Sequence, residues 1–219
     1  MKKLFLFSLV LICPLMLVGC GGANELEDNI SEITKTYYQG SDQSGVVNAS
    51  ISVGQREEPY IIDGVHEPLC DFSLFVINFN QQLEDEEITT QLSINGEVQE
   101  FVMYLNPVNH QYMADLGYAL GENDEVSVTY QDYTITFNNV SDNFTVSWSQ
   151  ALEIAKESLG ERLDDFYESD NFKGECYLKI LTEQNDNFDD LFWYFSIVGQ
   201  NNEVVNVVIN VNNGEVLVG

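Results

Sequence analysis

Apolar residues alternate with polar ones from Val46 to about Val140, and from Trp148 onward they recur at helical spacing. This change of period restricts the fold more than any other feature of the chain. A period of two sends alternate side chains to opposite faces of a strand, whereas a period near 3.6 gathers them into one stripe on a helix. Val47, Ala49, Ile51 and Val53 alternate, and Asp63-Gly64 marks a turn after Tyr60 to Ile62. Phe72 to Phe79 is a dense apolar run, as for a strand buried on both faces. Ile88 to Ile94 and Val98 to Leu105 flank Asn95-Gly96, a pair that accepts the positive φ angles of a two-residue hairpin turn. Val126, Val128 and Tyr130 alternate in one phase and Tyr133, Ile135 and Phe137 in the other, so Gln131-Asp132 must hold a tight turn or a bulge. About seven such strands predict an immunoglobulin-like β-sandwich over residues 45–140, without a Cys-Trp-Cys framework.

Asn138 to Phe144 reads as a linker into a second unit over residues 145–219. Ser147 with Gln150 forms a capping-box pair, and Trp148, Ala151, Leu152, Ala155 and Leu159 follow as one apolar stripe. Gly160 is a natural helix stop, although Leu163, Phe166 and Tyr167 continue the stripe in phase. Strand-like runs come next at Cys176–Thr182, Leu191–Val198 and Val204–Val211, and Asn212-Asn213-Gly214 turns the chain into Glu215–Val218. The pattern predicts a small α+β domain, one helix packed on an antiparallel sheet.

The chain opens differently. Lys2 and Lys3 precede an apolar stretch from Leu4 to Val18, which is shorter than the ~20 residues a spanning helix needs. The stretch ends in Leu17-Val18-Gly19-Cys20, which resembles the lipobox of bacterial lipoprotein signal peptides. The resemblance implies that residues 1–19 are a signal peptide, with Leu17, Val18 and Gly19 recognised for cleavage. It also implies a diacylglycerol on the Cys20 thiol, which holds the mature chain on the extracytoplasmic side of the cell membrane. Two acyl chains suffice for stable anchoring. Residues 20–44 are polar and read as a tether, with Leu26 to Ile33 able to form a short helix within it.

The last unit resembles the PepSY domain of metallopeptidase propeptides and envelope proteins, over about 70 of the 219 residues. Three stretches carry the likeness: the helix Ala151–Lys156 (ALEIAK), the aromatic strand Phe192–Ile197 (FWYFSI) and the closing segment Val208–Leu217 (VINVNNGEVL). Asn210 stands where the family places Asp, and Asn213 where it places Thr. The resemblance implies binding of peptidases or peptides. Trp193, Tyr194 and Phe195 are the candidate binding residues, with a core or interface role as the alternative.

Composition narrows the chemistry. With residues 1–19 removed, six basic residues face all 36 acidic ones, a net charge of −30. Such a surface repels nucleic acid and favours cationic partners. Cys70 and Cys176 are the cysteines left beside Cys20; an extracytoplasmic site permits a bridge, but Cys176 lies in an inward alternation with Leu178 and Ile180 and reads as a buried hydrophobe. His66 and His110 sit in turn-like contexts with no nucleophile motif beside them, so neither is taken as catalytic. Glu84 to Glu87 reads as a solvated loop, and Asn185 to Asp190 as an acidic loop without the order of an EF-hand. No metal and no cofactor is expected. The leading expectation is a non-catalytic, membrane-anchored binding or regulatory protein acting through the PepSY-like unit. The alternative is a structural or adhesive envelope protein that presents the sandwich to a protein or glycan.

Overall fold

The computed structural model describes residues 25–63, 65–81, 83–182, 191–201 and 203–218. The signal peptide, Leu17, Val18, Gly19, Cys20 and the whole acidic loop from Asn185 to Asp190 lie outside these residues.

A 3-10 turn, Leu26–Asn29, leads into β1 (Ile30–Ser41). Next come β2 (Val47–Glu57), β3 (Leu69–Phe79), β4 (Glu87–Ile94), β5 (Glu97–Leu105) and β6 (Tyr112–Asp115). They are followed by β7 (Val126–Tyr130), β8 (Tyr133–Thr136) and the short β9 (Asn138–Asn139). Helix α1 (Trp148–Leu159) continues as a 3-10 turn to Phe166 and a small ribbon of β10 (Tyr167–Glu168) and β11 (Asn171–Phe172). The chain closes with β12 (Gly174–Thr182), β13 (Leu191–Gly199), β14 (Val204–Asn210) and β15 (Val216–Val218).

The expected sandwich with a separate α+β domain does not form. Thirteen strands make one mixed sheet in the order β15-β14-β13-β12-β1-β2-β3-β6-β5-β4-β7-β8, with β9 paired to β1. Period-two alternation is common to a sandwich and to a single sheet that curls on itself, so the pattern alone does not separate them. Here the sheet curls until Asn138 and Asn139 of β9 pair with Gln39 and Tyr38 of β1. The concave face then encloses one core, with Tyr38, Ile51, Phe75, Leu92, Met103, Tyr112, Val128 and Ile135 arriving from eight different strands.

The strand that makes this possible comes from the stretch read as a tether. Ile30, Glu32 and Ile33 of β1 pair in parallel with Cys176, Tyr177 and Leu178 of β12, while the opposite side of β1 pairs with β2 along nearly its whole length. Ile33 belongs to a second core, in which α1 packs Ala151, Leu152, Ala155 and Leu159 onto Trp193, Phe195, Val207 and Ile209. Ala151 and Ala155 are fully buried, so their small side chains let the helix lie close to the sheet. Ser147 and Gln150 cap α1 reciprocally, at 2.8 and 3.3 Å, and Gly160 ends it with a φ of +50°.

Between its two cores β1 carries a bulge: Thr34 pairs with Gly54 and Thr36 with Val53, leaving Lys35 extra and exposed. A Cβ on Gly54 would lie 1.9 Å from the Ile33 carbonyl oxygen, and one on Gly40 would lie 2.5 Å from that of Thr136, at the seam where the sheet closes. Both clashes are with backbone, which cannot rotate away. Gly54→Ala should therefore cost about 2–3 kcal/mol in urea unfolding, and Gly40→Ala a comparable amount. Gly45→Ala meets no neighbour within 4 Å and carries the strain of its positive φ alone, about 1 kcal/mol. Equal midpoints for the three variants would contradict the close approach at the bulge and the seam.

Candidate functional site

The aromatic strand β13 alternates, and its alternation decides where the candidate binding residues point. Trp193 and Phe195 face α1 and are buried in the core. The Trp193 indole N–H donates to the Val146 carbonyl at 2.8 Å, and Phe144 meets the indole edge-on at 5.8 Å. Tyr194 faces the other way, half-buried, and its hydroxyl donates to Asn206 Oδ1 at 2.6 Å. The three side chains do not form one open aromatic surface. Asn210 and Asn213 accept the backbone N–H of Asn212 (2.8 Å) and Glu215 (2.9 Å). Both are side-chain-to-backbone bonds two residues on, the turn-making role that an Asp or Thr oxygen also fills.

On the face of β12 opposite α1, the segment from Glu58 to Pro68 crosses as a strap over a set of acidic side chains. Glu175 is fully buried and accepts hydrogen bonds from the Val65 N–H (2.6 Å) and the Tyr177 hydroxyl. Glu57, also buried, accepts from the Glu67 N–H at 3.2 Å, and its Oε1 has no partner among the described residues. Glu32 pairs with Lys179 at 2.9 Å, and the Lys179 ammonium lies 5.1 Å from the ring of Tyr60 and 5.2 Å from that of Tyr177. Burial holds the Glu175 carboxyl above its ordinary value near 4.5, and the charge on Glu57 raises it further. Burial likewise raises Tyr177 and Tyr60, so both phenols stay protonated; Tyr177 donates to Glu175, and the Tyr60 hydroxyl accepts from the Lys179 ammonium.

His66 falls within the same strap, its Nδ1 3.3 Å from Ser31 Oγ. Ser31 is fully buried, so this hydroxyl is not presented to an external carbonyl. His110 occupies the β5–β6 turn with a φ of +56°. Among the described residues no group of three His, Cys, Asp or Glu side chains is placed to hold a metal ion. Cys70 is exposed, Cys176 is buried, and both are free. The buried set of Glu57, Glu175 and Tyr177 was not legible in the sequence. Glu175 lies out of phase with the inward Cys176 and Leu178, and only the strap buries it.

The remaining feature of this half is its edge. The Gly199 N–H donates to the Glu203 carbonyl at 2.7 Å, which sets the phase of the β13–β14 ladder. Alternation then turns the N–H and C=O groups of Val204 and Asn206 away from β13. β15 pairs with β14 at Val208 and Ile209, beyond both of them. Val204 (51% exposed), Leu217 (45%) and Val216 (37%) give this edge an apolar rim. Natural edges are usually blunted by charge or covered, and along those three residues none of the described residues does either.

The strap has a pH signature whose sign is fixed by Glu175. A carboxyl raised in the folded state binds its proton more tightly there than in the unfolded chain, so its contribution is favourable below about pH 4.5 and is lost as pH rises through the folded value. Glu175→Gln should flatten the fall in Tm as pH rises above about 4.5 relative to the native chain; parallel curves would remove Glu175 from the account. No family model matches the sequence, and neither a curated protein nor a solved structure is similar enough to match.

Proposed function

We propose that the protein is a non-catalytic, membrane-anchored extracytoplasmic binding protein that takes up an extended segment of a secreted peptidase or peptide at the β14–β15 edge. The observation that carries this reading is the edge itself, where outward main-chain groups at Val204 and Asn206, without a strand partner among the described residues, adjoin exposed Val204, Val216 and Leu217. Strand addition supplies affinity through main-chain hydrogen bonds and selectivity through alternate side chains. The net charge of the chain favours a basic segment. The likeness of ALEIAK, FWYFSI and VINVNNGEVL to the PepSY domain points to the same partner class. The anchor rests on the Leu17–Cys20 motif. Leu26, where the first described element begins, lies six residues after Cys20, so a lipid on Cys20 would hold that element within about 20 Å of the bilayer.

The anchor is tested by Cys20→Ser, which should abolish labelling with radioactive palmitate and move the protein from the membrane to the soluble fraction. Unchanged fractionation would refute it. For the edge, a photo-crosslinking residue at Leu217 should trap a peptidase or secreted peptide in intact cells, whereas the same probe at Val108, on the β5–β6 loop, should not. Val204→Pro removes an outward N–H at the first residue of an edge strand, where proline is tolerated. It should abolish the Leu217 adduct without lowering Tm. Equal labelling at Leu217 and Val108, or labelling indifferent to Val204→Pro, would overturn the edge as the binding site.

A further inference from the structure

The outer face of the curled sheet holds a second surface, remote in sequence from the β14–β15 edge. Around the seam where β9 meets β1, a groove of about 630 Å³ runs across β9, β1, β2 and β3. Strand register arranges its side chains in two rows. Asn138, Gln39 and Ser50 stand opposite one another in the first, and Ser41, Asn48 and Asn78 in the second. The inward phase of the same strands, with Tyr38, Ala49 and Ile77, feeds the core, so the outward phase is what these strands present to solvent.

Two properties of the rows stand out. None of the described residues lining the groove is charged, in a chain where charged residues make up 20% and the net charge is −28. The six side chains also make no side-chain hydrogen bond with another described residue, so their amides and hydroxyls remain available. Each Asn or Gln offers one acceptor oxygen and an NH₂ with two donors, and each Ser a hydroxyl that does both.

This chemistry selects its ligand largely by exclusion. A polyanion finds no cation here and is repelled by the rest of the molecule. A basic peptide finds its carboxylates elsewhere. An apolar ligand would strip water from six polar side chains without replacing the lost hydrogen bonds. A neutral chain rich in hydroxyl groups meets donors and acceptors with donors and acceptors. Neighbouring strands stand about 4.8 Å apart, so each row of three strands spans about 10 Å and the two staggered rows together about 14 Å, a length that a short run of pyranose rings can follow. We propose that the groove over β9, β1, β2 and β3 binds a neutral polysaccharide through the amide and hydroxyl rows of Asn138, Gln39, Ser50, Ser41, Asn48 and Asn78.

The test is a titration of the ¹⁵N-labelled full-length chain, read at the side-chain NH₂ signals of Gln39, Asn48, Asn78 and Asn138. Chitohexaose, cellohexaose and maltohexaose serve as neutral probes, and hexagalacturonate and hexalysine as charged controls. Saturable shifts of these signals are expected with at least one neutral probe and with neither control. Asn48→Asp combined with Asn78→Asp should weaken that binding at least tenfold, while Asn213→Asp, in the distant β14–β15 turn, should leave it unchanged. Gln39→Glu, on the adjacent strand, provides the same reading should the double variant fail to fold. No shift with any neutral probe, equal shifts with a charged control, or undiminished binding in the Asp and Glu variants would overturn the proposal. A β14–β15 edge that captures no peptide leaves these outcomes untouched, so the two readings fail separately.

Discussion

The parallel pairing of Ile30–Ile33 with Cys176–Leu178 is the contact on which the rest of the architecture depends. Strand β1 contributes Ile33 to the core under α1 and Tyr38 to the core of the curled sheet, with the Lys35 bulge between them. Without this pairing there would be two smaller sheets, each with an additional open edge. With it, the sheet retains its apolar edge at β14–β15, and the curled half is sealed by β9 against the far end of the same strand. Closure removes an edge altogether, which is the surest protection against unwanted strand pairing.

Local chemistry made several turns and the helix cap legible. Asn95 and Gly96 take φ angles of +52° and +83°, as a two-residue hairpin turn requires, and Ser147 with Gln150 caps the helix that their spacing implies. Gln131, with a φ of +50°, makes the tight turn that the phase switch between Tyr130 and Tyr133 demands. Strand β1 was hidden because it is buried on both faces, with Ser31, Thr34 and Thr36 buried beside Ile33 and Tyr37. Its sequence therefore carries no clean alternation and resembles a polar linker. The placement of Trp193 and Phe195 was half legible. A period of two puts them on one face, and the apolar stripe of α1 claims that face. What covered the opposite face depended on the strap from Glu58 to Pro68, which no local signal announces.

Charge is distributed to suit this framework. Basic residues are scarce, and several stand between segments distant in sequence: Lys156 pairs with Glu27, Arg56 with Asp115 and Lys179 with Glu32. The two partly exposed pairs, Lys156–Glu27 and Arg56–Asp115, contribute about 0–1 kcal/mol each, far less than a buried aromatic such as Trp193. Their placement relieves repulsion at points where carboxylates crowd together, and the cores supply most of the cohesion. Against that background the uncharged rows beside the β9 seam are a departure, since exposed positions on β4 and β5, further along the same sheet, carry Glu87, Glu97 and Glu100.

The position of β1 also has a mechanical meaning. The 3-10 turn at Leu26–Asn29 passes directly into a strand held on one side by β2 and on the other by β12 and β9. Tension applied from the Cys20 side would run along β1, nearly at right angles to the hydrogen bonds that flank it, so many bonds would share the load at once. A strand at a free edge would instead unzip one bond at a time. A protein gripped at this end would yield only by sliding its central strand, and both cores would have to give way together.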